Sequence, residues 1–206
     1  MLSTAKKNSL IIRKILNKYY PNPKIPLEHK NLFTLAIAVL LSAQTTDKKV
    51  NEVTKILFKI AFAPDKMVKL PLKTLETILR PLGLYQRKAK AVLSLSKILI
   101  EKYSSKLPNS FNDLEKLPGI GHKTASVIII YGFNKPAFPV DTHVFRLAKR
   151  WKLSNGKNVK EVEKDLKEIF PKKLWHKIHL QMVLFGRNYC KAKSHDETKC
   201  PVCCKI

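Results

Sequence analysis

Apolar residues recur at steps of three and four along almost the whole chain, and no segment alternates with period two between β-type turns. After Thr46 and Asp47, a pair suited to opening a helix, Val50, Val53, Leu57 and Ile60 share one helical face. Ala89, Val92, Leu93, Leu99, Ile100 and Tyr103 share another. The same pattern predicts helices over residues 4–19, 30–43, 71–80, 121–133, 141–151, 158–169 and 171–187, with a short amphipathic piece around 111–116. Stripes of this kind are buried by packing helix on helix, so the expected fold class is all-α. Breaks fall at Pro21-Asn22-Pro23, at Lys106-Leu107-Pro108-Asn109 and at Asn134-Lys135-Pro136, where proline and asparagine disfavour continued helix. They divide the chain into a start, a middle and an end.

Charge then narrows the partner. Forty Lys and Arg against fifteen Asp and Glu leave +25 over 206 residues, an excess that repels itself and serves no internal purpose. A polyanion is the expected partner, nucleic acid before an acidic membrane. The longest apolar stretch, residues 32–43, has twelve residues including Thr34 and Ser42, too short to span a bilayer and suited to a buried helix. The first residues carry lysines but no apolar core of a secretory signal, so a cytoplasmic protein is expected. Cys200, Cys203 and Cys204 lie together, ten residues and more beyond Cys190, a clustering closer to a metal site than to a disulfide framework.

The chemistry concentrates in two short runs. In Leu117-Pro118-Gly119-Ile120-Gly121-His122-Lys123-Thr124-Ala125, two glycines spaced by one residue precede an apolar helix, so the backbone can turn tightly and aim N–H groups at a phosphate. A short G-x-G alone is a weak signal. The amphipathic piece before it and the all-round apolar Val127-Ile128-Ile129-Ile130 after it make the unit a helix-hairpin-helix. Lys123, with His122, Lys116 and Lys135 near in sequence, is expected to give up its proton more readily than an isolated amine, as a nucleophile must. Its position alone equally suits a plain phosphate contact. Between Glu115 and Glu161, nine Lys or Arg accompany a single carboxylate, Asp141, which stands where a cap opens the next helix. Capping alone accounts for an Asp there.

Taken together, LPGIGHKTA at 117–125, VDTHVFR at 140–146, LLSAQTTD at 40–47, GLYQRKAKAV at 83–92 and the Cys-rich end resemble the endonuclease III family of the helix-hairpin-helix DNA glycosylase superfamily. The resemblance runs from about Pro21 to Cys190. It implies an all-α, two-domain enzyme: residues 26–134 as a six-helix domain with the hairpin, residues 1–25 and 135–206 as the second, and DNA in the groove between. It makes Lys123 and Asp141 the catalytic pair, and Gln44 and Leu84 the residues that wedge into the duplex when a base is flipped out. Gly119, Gly121, His122 and His143 join them as DNA contacts, His143 mainly in a positioning role. On their own, Gln44 reads as satisfying a helix end and Leu84 as a hydrophobic staple.

The resemblance also implies a 4Fe-4S cluster on Cys190, Cys200, Cys203 and Cys204. Their spacing, C-x9-C-x2-C-C, departs from the family's C-x6-C-x2-C-x5-C, and adjacent side chains seldom converge on one metal, which puts Cys204 in doubt. Zinc with the help of His195, or a tail without metal, stays open. The activity implied is that of a bifunctional DNA glycosylase and AP lyase of base excision repair, acting as a monomer on oxidised pyrimidines in nucleoid DNA. Two other readings stand beside it. An adenine-mismatch glycosylase of the same superfamily normally lacks lysine after the hairpin and carries a further C-terminal domain. A non-catalytic helix-hairpin-helix DNA-binding protein leaves the Lys123 and Asp141 pairing to coincidence.

Overall fold

A computed structural model of the chain describes residues 2–206, with the side chains of residues 4–206. Among them are eleven α-helices, three short 3-10 turns and no strand. None of the helices is long and apolar enough to cross a membrane. The chain packs as two compact units, one of Ile25–Lys135 and one of the N-terminal segment through Lys24 with Pro136–Ile206.

In the first unit, α2 (Leu32–Leu41) begins with a reciprocal cap: the Asn31 side chain accepts from the Thr34 amide while Thr34 accepts from the Asn31 amide. It is buried on almost every side, as its unbroken apolar sequence requires. It ends two residues before the predicted position 43, because the chain turns at Ser42 and enters a left-handed conformation at Gln44. The next helix, α3 (Asp47–Ile60), is capped by Thr46, whose hydroxyl accepts from the Lys49 amide at 3.3 Å. A four-residue turn, α4 (Pro64–Met67), was not predicted, being too short to show a period. Then come α5 (Leu72–Leu79), α6 (Tyr85–Tyr103), α7 (Phe111–Glu115) and α8 (His122–Phe133). Ala125–Ile130 of α8 are buried, packed against α2.

The second unit joins α1 (Leu2–Tyr19) to α9 (Thr142–Arg150), α10 (Val159–Ile169) and α11 (Trp175–Asn188). Its core holds Ile12, Leu16, Phe138, Trp151, Phe170 and Phe185, and extends without interruption to Cys190 and Cys200. Asn8 donates to the Trp151 carbonyl at 3.1 Å, which ties the far N-terminal helix to the end of α9. Helix α11 starts at Trp175 and not at 171, since Lys172–Leu174 form a 3-10 turn behind Pro171.

Candidate active site and metal centre

The hairpin is built by its short bonds and its two glycines. Leu117 N–H donates to Leu114, and Ile120 N–H to Leu117 at 3.1 Å, closing the turn that leads from α7 into α8. Gly119 sits at φ +78°, and a Cβ there would lie 2.8 Å from Leu40 Cδ1 and 3.0 Å from Ala91 Cβ. Gly121 is different: its backbone is extended (φ −94°, ψ −178°), and a Cβ would meet nothing within 4 Å. The fold therefore demands glycine at 119 but not at 121, where the missing side chain leaves the first amides of α8 open to a close approach.

Two substitutions separate these roles. Gly119→Ala is expected to cost roughly 2–4 kcal/mol through left-handed strain and overpacking, seen as a lower melting temperature. Gly121→Val should change stability by about 1 kcal/mol or less, yet weaken binding to intact and abasic duplex alike by around tenfold, measured by fluorescence anisotropy, as expected if the open amides at the start of α8 meet phosphate and not bases. Parental affinity in Gly121→Val would rule out the hairpin as a phosphate site.

Lys123 lies exposed on the first turn of α8. The cations around it in sequence each have a partner of their own. Lys116 pairs with Asp113 at 2.9 Å, which raises the pKa of its ammonium. His122 contacts Glu115 at 3.1 Å and meets the Phe111 ring edge-on, pinning the start of α8 to α7. Lys135 donates to the backbone and side-chain oxygens of Asn109, at 2.8 and 2.6 Å.

Gln44 and Leu84 share an unusual backbone. Both are non-glycine residues at positive φ, 54° and 50°, and both are exposed, Leu84 by 52%. Such a conformation costs of order 1–3 kcal/mol and persists only where neighbours enforce it. Beside both stands a residue that the sequence did not single out. Lys88, only 5% exposed on α6, donates to the Thr45 hydroxyl at 2.8 Å and to the Leu82 carbonyl at 3.1 Å, and that hydroxyl in turn donates to Leu82 at 2.7 Å. Burial pushes the pKa of the Lys88 amine down. One buried side chain thus ties the loop bearing Gln44 to the loop bearing Leu84. The contact bridges positions 43 apart, and no local pattern marks it.

In the other unit, Asp141 caps α9: its Oδ1 accepts from the Val144 amide at 2.8 Å. The side chain is half-buried, and it remains next to the helix N-terminus, where a negative charge is favoured. His143, in the first turn of α9, is half-buried with its Nδ1 3.3 Å from the Arg146 guanidinium. Arg146 also donates to the Gly186 and Cys190 carbonyls at 2.9 and 2.8 Å, so α9, α11 and the first cysteine are held in one register.

The sulfur cluster departs from the expected four cysteines. Cys190, His195, Cys200 and Cys203 bring one ligand atom each within 4.8 Å of one another, a site that could hold a metal. Cys204 is outside this set and exposed: it follows Cys203 on a 3-10 turn, where neighbours point about 120° apart. Its place is taken by His195. Arg150 donates to Cys190 Sγ at 3.3 Å. Burial pushes the pKa of the Cys190 and Cys203 thiols up. This donor set, three sulfurs and an imidazole, does not reproduce the four-thiolate cradle that the family resemblance implies.

Residues 37–172 match the family of HhH-GPD superfamily base excision DNA repair proteins. Endonuclease III of Rickettsia felis is 44% identical over 191 residues, 93% of this chain and 90% of that protein. Endonuclease III of Bacillus subtilis is 43% identical over 184 residues, 89% and 84% of the two. Two solved structures, a non-covalent endonuclease III–DNA complex and a trapped endonuclease III–DNA covalent intermediate, superpose with TM-scores of 0.92 and 0.91 at 42% identity. Each covers 96% of this chain, with 92% and 93% of the respective solved chains matched. A chain helical throughout its described residues, with a glycine-built hairpin and matched over 93–96% of its length in this way, belongs to the HhH-GPD superfamily of base excision DNA repair proteins and, within it, to the endonuclease III family.

Proposed function

We propose that the chain is a bifunctional DNA glycosylase and AP lyase of base excision repair, which removes oxidised pyrimidines from duplex DNA and then cleaves the abasic strand. It acts as a monomer on nucleoid DNA, with residues 26–134 as the hairpin-bearing domain and 1–25 with 135–206 as the second. The observation that carries this reading is the exposed Lys123 at the open start of α8, directly after the hairpin, in a chain 42% identical to one trapped covalently on DNA.

A damaged base stacked in a duplex is out of reach, so it must be turned out and the gap filled. Leu84 supplies an apolar wedge and Gln44 a polar side chain for the orphaned partner base, each held on strained backbone. As the base leaves, cationic character grows on the deoxyribose, and the Asp141 carboxylate offsets it. The Lys123 amine forms a bond to C1′ as the glycosidic bond breaks and the base departs with a proton. The sugar ring opens to an imine. Loss of a C2′ proton then expels the 3′ phosphate oxygen, and water hydrolyses the imine to free the enzyme.

Borohydride trapping of the full chain on abasic duplex tests this. A covalent adduct is expected, because only an imine can be reduced to a stable amine. DNA binding without any adduct would leave a non-catalytic hairpin protein.

The Lys88 tie makes its own prediction. Lys88→Met keeps the buried volume and removes only the ammonium, so the melting temperature should stay within a few degrees. Single-turnover excision from duplex should nevertheless fall about tenfold, since two loops that must act together lose their common anchor. An unchanged rate would show that the loops hold their shape without it.

A further inference from the structure

We infer that Cys190, His195, Cys200 and Cys203 form a single-ion zinc site in place of an iron–sulfur cluster. The distances decide between the two. A tetrahedral zinc with Zn–S of about 2.3 Å and Zn–N of about 2.0–2.1 Å sets its sulfurs about 3.8 Å apart and sulfur from nitrogen about 3.6 Å apart. Cys190 Sγ lies 3.9 Å from Cys203 Sγ and 3.7 Å from His195 Nε2, and all four donor atoms lie within 4.8 Å of one another. In a cubane, the irons stand roughly 2.7 Å apart with each thiolate roughly 2.3 Å further out, so the four sulfurs are spread about 6 Å from each other. The donors here enclose room for one atom, not eight.

The donor chemistry agrees. Three thiolates and one imidazole in tetrahedral arrangement suit zinc, which keeps no open position there and has no redox role. Binding replaces three thiol protons, released to solvent, with one Zn2+, leaving a net charge of −1 at the site. Arg150 donates to the Cys190 sulfur at 3.3 Å and to the Lys191 carbonyl at 2.9 Å, and so faces that charge. Cys190 and Cys200 are buried in the core of the unit, and the 191–199 loop between them carries His195 back onto it. The ion would fasten this loop to the end of α11 and to α9. It takes no part in the reaction at the deoxyribose.

The test is the metal content of the full chain purified without oxygen from cells supplied with iron and zinc. One zinc per chain with negligible acid-labile sulfide is expected. Cobalt(II) exchanged into the site should give the strong visible bands of a tetrahedral thiolate ion. Cys204→Ser should keep one zinc, His195→Ala should lose it to a chelator at least tenfold faster, and His195→Cys should retain it with altered cobalt bands. Iron and sulfide each near four per chain would overturn the assignment, as would absence of any metal, or loss of zinc in Cys204→Ser. Borohydride trapping on abasic DNA reads the lyase independently, so either conclusion can fail without the other.

Discussion

Lys123→Gln is expected to reduce strand nicking at abasic sites to background, a loss on the order of 1000-fold or more, and to abolish the borohydride-trapped adduct, while duplex affinity falls only a few-fold. Glutamine keeps the length and polarity of the side chain but has no basic amine, so no imine can form. The binding surface barely changes, since Lys123 is one of 40 Lys and Arg and phosphate attraction is spread among them. Rescue by a neighbour is closed off by what the neighbours do. The Lys116 ammonium is stabilised in its charged form by Asp113, and Lys135 is anchored on Asn109. Because Lys123 is exposed, its replacement should leave the melting temperature unchanged. Gel assays of nicking and trapping, with anisotropy for binding, check all three statements. Nicking at the parental rate would remove Lys123 from the reaction.

What the sequence shows of this protein follows the reach of each signal. Helix period and caps are local, so α3, α6 and α8 can be read directly, and Thr46, Asp141 and Asn158 sit at the helix starts where their side chains accept from backbone amides. A single turn such as Pro64–Met67 has no period to read. The hairpin is visible as two glycines, but their difference is not, because it depends on Leu40 and Ala91 pressing on Gly119 from other helices. Lys88 lies in the same segment as Leu84 but carries no local signal, since its partner Thr45 is 43 positions away. The partners of the charges near Lys123 are equally hidden: proximity in sequence does not say that Glu115 meets His122 or that Asn109 accepts from Lys135. At the cysteines, adjacency already sets Cys204 against Cys203. Only the folded loop puts His195 beside the other three.

Asp141→Asn should slow base excision on the order of 100-fold or more, equivalent to about 2.7 kcal/mol of lost transition-state stabilisation, with little change in stability. The geometry makes this substitution unusually discriminating. Asp141 performs a structural task, accepting from the Val144 amide at 2.8 Å, and asparagine caps a helix about as well as aspartate. What asparagine removes is the charge, which favours the α9 N-terminus by roughly 0.3–1 kcal/mol and so costs only a few degrees of melting temperature. Asp141→Ala removes both charge and cap, and is expected to lose about 1 kcal/mol more stability while excising no more slowly than the asparagine variant. If capping were the residue's whole role, the order would reverse: asparagine would excise at the parental rate and only alanine would fail. Single-turnover excision and thermal melts on the same three proteins therefore assign the carboxylate either to the reaction or to the helix, since the two tasks respond to different parts of one side chain.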